Sequence, residues 1–365
     1  MKILNWMQPN TGLYITTFLV TFAILNSVQG CPTEDTSYRI YNRALHDIES
    51  MLSKAHPSFK RAVFITENAY FDDTLSYDQF DNKIQYLVFW AKQEAKAIDL
   101  NYYPESDSSL VKKNMAIFTV LKDTCRIYIS GNETRYHLPF TYDFSDFFGN
   151  ERWTKMFVTK LLVTSNGNCH SLPYLYKILA DELEINNAWL SFAPNHIYIK
   201  NRCLKTGWYN TELTSGQFPV DAWIMASGYV SPDAVRSGIY MDTLSNQEAV
   251  ANCALDLAKG YERKFKNYTD SFIIKCCDLT LKYHPTNINA IIYKAETLKK
   301  MYLIYKRQNP EASSALYPCM ERLYVQALDL GYKEMPEKMY NEWILATSKQ
   351  KEKYSDKSLS NTFKK

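Results

Sequence analysis

Apolar residues recur at helical spacing through the first third of the chain. Ile40, Leu45, Ile48, Met51 and Leu52 form one stripe. Phe59, Val63, Phe64 and Ala69 form a second after Pro57. A third runs from about Tyr77 to Leu100, with Phe80, Ile84, Leu87, Val88 and Ala91 on one face. A fourth carries Val111, Met115, Phe118 and Leu121. Such spacing buries one face of a helix, so the pattern predicts helices from Tyr38 to roughly Ile129.

The pattern changes between about Trp153 and Gly228. Trp153, Met156, Phe157, Leu161 and Leu162 predict a helix that the turn Asn166-Gly167-Asn168 breaks. A new helix is expected from Cys169, with Pro173 in its early turns, where a missing N–H is tolerated. Three short strands are expected next: 188–193, 196–200 and 207–213. Helical spacing returns after Ser245, through Ala249, Cys253, Leu257 and Tyr261. It continues through Phe272, Cys276 and Leu279 to His284-Pro285, and again from Ile288. Small residues at that spacing with proline at a turn resemble two or three degenerate tetratricopeptide helix pairs. The expected organisation is α+β. A helical region spans 31–150, a core 151–240, a helical repeat-like region 241–345 and a polar, disordered tail 346–365.

The first thirty residues read as a targeting segment. Lys2 precedes an apolar run over 13–25, too short for a membrane-crossing helix, which needs about 20 residues. The ending Val28-Gln29-Gly30-Cys31 resembles a bacterial lipoprotein cleavage site. The expectation is an exported protein of the cell envelope, touching the membrane only through an acylated Cys31. Simple cleavage and secretion is the rival. A net charge of +3 and the lack of any nucleic-acid motif argue against a nucleic-acid partner. The 28 tyrosines, scattered along the chain, are read as packing residues with a wet hydroxyl.

Eight cysteines are present, with no C-x-x-C pair and no visible disulfide framework. Cys253, Cys276 and Cys277 fall on amphipathic stretches and read as small buried residues. Cys169 differs. Asn168 is a good helix cap, and a thiol at a helix start beside an imidazolium becomes the nucleophilic thiolate more readily. His196 heads the second expected strand. A hairpin centred on Leu204 would set it directly opposite Glu212, with Cβ atoms about 4.5–5.5 Å apart. A register slip of two residues keeps the pair on one face, and a slip of one separates it. Cysteine, histidine and carboxylate in that arrangement are a nucleophile, its base and the group orienting the base. His170 adjoins Cys169 and points away from it. Asp221 is an alternative acid beyond the hairpin, and no zinc-ligand spacing links Cys169, His170 and His196.

Gly167-Asn168-Cys169 opening a helix, the strand from His196, and Trp208 shortly before an acid resemble the transglutaminase-like branch of the papain-like thiol superfamily. The closest flavour is the SirB-type bacterial group, whose core is followed by tetratricopeptide-like helices. The resemblance implies a cysteine helix packed on a small antiparallel sheet. It assigns Cys169 as nucleophile, His196 as base and Glu212 as orienting acid, where many members carry Asp. The expected function is amide acyl transfer, by hydrolysis or transamidation, on a polypeptide or peptide-like amide. The backbone N–H of Cys169 is the natural oxyanion donor, with Asn168 or Trp153 assisting. No metal or organic cofactor is required. The alternative is a non-catalytic, surface-anchored scaffold that binds a protein partner on its C-terminal helices. A third reading pairs Cys169 with Cys203 in redox chemistry.

Overall fold

The computed structural model describes residues 34–100, 103, 105–129, 133–308, 313–336, 338–339 and 341–342. The leader over 1–30, the lipid-anchor candidate Cys31 and the tail from 346 lie outside the described residues. Among the described residues four helices come first: α1 (Glu34–Leu52), α2 (Phe59–Tyr70), α3 (Tyr77–Ala97) and α4 (Glu105–Lys122). Serine caps open two of them, Ser58 Oγ accepting from Arg61 N and Ser76 Oγ from Gln79 N. The helical reading stops short of Ile129. Residues 125–129 form β1 (Cys125–Ile129), antiparallel to β2 (Glu133–His137). Exposure alternates there, with Arg126 and Tyr128 outward and Cys125 and Ile127 inward, a period of two that no helix buries.

The central block holds the cysteine helix and a small sheet. The helix expected over 153–162 is two pieces: a 3-10 turn (Trp153–Met156) and α5 (Val158–Thr164), separated by Phe157 in extended backbone. The break has a cause in α2. The Glu67 carboxylate accepts from the N–H groups of Val158 and Thr159 at 2.7 and 2.8 Å, so a fresh helix starts on a cap supplied from elsewhere in the chain. A two-residue strand β3 (Thr141–Tyr142) pairs in parallel with β4 (Asn166–Gly167). Then come α6 (Ser171–Glu182) and the antiparallel sheet β5 (Ala188–Ala193), β6 (His196–Cys203) and β7 (Gly207–Thr211). Pro194 and Asn195 make the tight β5–β6 turn, with Asn195 at φ +56°, which asparagine tolerates.

The β6–β7 register differs by two residues from the expected one. Arg202 pairs with Trp208 and Cys203 with Gly207, so the turn centres on Lys205. Glu212 then lies beyond the ladder, diagonal to His196 on the same face. The same-face parity is what a slip of two preserves.

Two short helices, α7 (Asp221–Ser227) and α8 (Pro232–Arg236), lead to α9 (Asn246–Phe265), α10 (Phe272–Tyr283), α11 (Ile288–Gln308) and α12 (Leu316–Asp329). A reciprocal cap between Ser245 and Glu248 starts α9. Its buried side packs on α1 and α2 as well as on α10. Thr66 donates to the Cys253 carbonyl, and the Tyr41 ring meets Tyr261 and Phe272 edge-on. One continuous apolar cluster runs from Ile40 to Ala327, crossing the boundaries expected at 151 and 241. No described helix is long and apolar enough to cross a membrane.

Candidate active site

Cys169 sits at the turn between β4 and α6. Gly167 is required by space, since a Cβ there would lie 2.7 Å from Leu161 Cδ1 and 2.8 Å from Ser171 Oγ. Asn168 caps the helix: its Oδ1 accepts from the N–H groups of His170 and Ser171, both at 3.0 Å. Ser171 Oγ closes the loop by accepting from Asn168 N. The other end of the amide is also occupied, Nδ2 donating to the Phe147 carbonyl and to Met156 Sδ. Asn168 therefore positions the turn and has no N–H left for an oxyanion. The backbone N–H of Cys169 has no acceptor among the described residues.

His196 is buried at the start of β6, and its Nε2 donates to Glu212 Oε2. The Cys169 side chain lies beside the ring, close enough to favour its charged form. Burial opposes a charged ring, but the Glu212 carboxylate and the Cys169 contact override it and hold the imidazole pKa well above its usual range. Glu212 is equally buried. Burial pushes its pKa up, while His196 and the backbone N–H of Thr214 at 2.7 Å pull harder and leave it below the usual value. An isolated bridge between Glu212 and Gln217 fixes the backbone around the carboxylate. The imidazole thus meets the carboxyl directly and shares one cavity wall with the sulfur.

The alternative partners are engaged elsewhere. Both ring nitrogens of His170 face acceptors, Nδ1 the Met156 carbonyl at 2.9 Å and Nε2 Asp256 Oδ2 at 3.1 Å. Asp221 takes a bond from Asn210 at 2.7 Å, and its side chain is half exposed. Cys203 ends β6, seven residues from His196, or about 23 Å along a strand. Both it and Cys169 are free thiols, so the geometry contradicts the redox pairing. Cys253, Cys276 and Cys277 are fully buried and free, as expected.

Although Cys169 is only 5% exposed, it forms part of the wall of a cavity of about 280 Å³ that also touches Trp153, His196 and Lys259. Trp153 Nε1 is buried and has no hydrogen-bond acceptor among the described residues. Gly260 permits this, because a Cβ there would stand 3.3 Å from that nitrogen. Several residues here escaped the sequence reading. Lys259 and Arg263 reach the cavity from α9, on the helical stripe Asn252, Asp256, Lys259, Arg263, a polar line that could have been noticed in an otherwise buried helix. Behind the sheet, Asn114 Oδ1 accepts from Tyr176 and Asn201, and Thr211 donates to Asn201, tying β6 and β7 to α4 and α6. Among the described residues, no three His, Cys, Asp or Glu side chains are grouped as metal ligands.

No family model matches the chain, and no curated protein matches it. A solved structure similar over most of its length is the crystal structure of menin that reveals the binding site for the Mixed Lineage Leukemia protein. It has a TM-score of 0.32 and 10% identity, covering 88% of this chain and 90% of that one.

Proposed function

We propose that the chain is a cysteine-dependent acyl-transfer enzyme acting on amides, with a transglutaminase-like core in which Cys169, His196 and Glu212 are the triad. The observation that carries this reading is the imidazole of His196 bonded to a buried carboxylate and set beside the Cys169 thiol at the wall of a cavity. The arrangement supports a thiolate–imidazolium pair, in which Cys169 Sγ attacks the carbonyl carbon of an amide. The N–H of Cys169 receives the developing oxyanion, and the unpaired Trp153 Nε1 is the second donor. As the C–N bond breaks, His196 delivers its proton to the leaving nitrogen. The thioester is then resolved by water, or by an amine in transamidation, with His196 taking back a proton. Glu212 keeps the ring oriented throughout and stabilises it whenever it carries the proton. On this reading the protein acts in the cell envelope on a polypeptide or peptide-like substrate, with the lipid anchor at Cys31.

A peptidyl vinyl sulfone, which captures an activated thiol as a thioether, tests the proposal. The expected result is a single adduct on Cys169 in the wild type and none in His196→Ala. An adduct rate unchanged in His196→Ala contradicts it.

The scaffold reading is favoured by one feature, the exposed apolar line Tyr317, Val325 and Leu328 on α12, with Leu303 nearby in sequence on α11. On that reading, α12 would meet a protein partner while the thiol site stayed idle.

A further inference from the structure

The cavity beside Cys169 does not end at the thiol. A second cavity of about 230 Å³ shares Asn195, Lys259, Asn289 and Tyr293 with it, so the two form one groove between the sheet end and the face of α11. Lys259 stands at their junction. It is half-buried and makes no hydrogen bond or ion pair with the described residues, its charge acting at longer range on Asp256 and Cys277. Arg263, one helical turn further along α9, lines the first cavity and bonds a neutral group, Asn150 Oδ1, at 3.0 Å. The carboxylate between them in sequence, Glu262, lines the same cavity, and Glu296 and Glu334 line the far one beside Lys333. Glu262 is bound by Lys300 and accepts from the hydroxyls of Tyr293 and Tyr268. The cavity next to the nucleophile therefore presents two cations with no carboxylate in contact among the described residues, its own carboxylate being held by Lys300.

We infer that this groove selects acyl substrates that carry a carboxylate close to the scissile amide, held by Lys259 and Arg263. The inference rests on the reading of Cys169 as the nucleophile. Cations with no carboxylate in contact favour an anion over a neutral group of the same size. Lys259 offers a compact charge at the junction, and Arg263 a fork suited to a carboxylate. The carboxylate can belong to a chain terminus or to an acidic side chain, and the groove chemistry is the same for both.

Two alkylating agents of nearly equal size separate charge from reactivity. Iodoacetamide is neutral and iodoacetate is an anion; with each, the sulfur displaces iodide and forms one S–C bond. The measurement is the ratio of their rates at Cys169 in the full-length protein, by mass spectrometry of the labelled peptide. In Lys259→Met the ratio of iodoacetate to iodoacetamide should fall about threefold to fivefold, and further in Lys259→Met with Arg263→Met. Lys259→Arg should keep it. A ratio that does not move in either methionine variant overturns the inference. No reaction of Cys169 with iodoacetamide in the wild type would instead remove the proposed function.

Protection of Cys169 from iodoacetamide then locates the carboxylate. The competing peptides are one with a free C-terminus, the same peptide amidated, and the amidated peptide with an internal glutamate. Protection by the first alone assigns a chain terminus, and by the third alone an acidic side chain. Equal protection by the neutral peptide contradicts selection.

Discussion

Burial alone would strip the proton from His196, and the Glu212 carboxylate with the Cys169 contact keeps it there. This pair contributes to stability in a defined pH window. The raised His196 contributes fully below its unfolded value of about 6.5, and the contribution fades as pH rises through the folded value. The lowered Glu212 contributes fully above its unfolded value of about 4.3 and loses it as pH falls. Wild type should therefore exceed Glu212→Gln most between about pH 4.3 and 6.5, with the gap narrowing on both sides, as urea unfolding across pH can check. Glu212→Ala, which leaves the imidazolium without its partner, should cost roughly 3–5 kcal/mol in the same experiment. A pH-independent gap would mean the pair is not charged in the fold. Of this site, the residue types and their order were legible in the sequence. The cap by Asn168 was legible too, because its contacts are local; the long-range cap by Glu67 and the cations of α9 were not, because each depends on contacts between distant segments.

At the scale of elements, the turn from β4 into α6 decides where the sulfur stands. Gly167→Ala would drive a Cβ into Leu161 and Ser171, and overpacking of this kind costs about 1–3 kcal/mol. Asn168→Ala removes a cap worth about 1–2 kcal/mol. Both variants should also slow alkylation of Cys169 more than that of Cys319, the half-exposed thiol on α12. Equal slowing at both thiols would assign the effect to global loosening. The strands around His196 could be read from their alternation and from Pro194-Asn195, a two-residue turn whose chemistry is local. The β6–β7 register could not. Leu204, Lys205 and Thr206 carry no turn signal as strong as an Asn-Gly pair, and Gly207 takes the left-handed φ of +76° one residue after the loop. The β1–β2 hairpin was hidden because the apolar stripe of α4 runs directly into Cys125 and Ile127, and short apolar runs do not declare their period.

For the whole molecule, the C-terminal helices are not an appendage. Asn246 donates to the Pro57 carbonyl at 2.6 Å, and α9 buries Tyr41 and Val63 together with its own apolar side. A chain ending at residue 244 should expose that surface and fail to give a cooperative unfolding transition, whereas the full chain should unfold in one step by circular dichroism and by tryptophan fluorescence. Two separated transitions in the full chain would contradict the shared core. The sequence boundaries at 151 and 241 mark changes in local pattern, while the packing that joins α1, α2 and α9 is made by residues about 190 positions apart, beyond what periodicity reveals. The same packing forms the groove, since α9 and α11 wall the cavity that the sheet end opens into. The most direct test of the triad is the rate of iodoacetamide reaction at Cys169 at pH 6, in wild type and in His196→Ala. The thiolate is the reacting form, so losing the imidazolium that stabilises it should slow Cys169 by at least about tenfold. Equal rates in the two proteins, or faster labelling of Cys319 than of Cys169 in the wild type, would contradict the claim that sulfur, imidazole and carboxylate work as one unit.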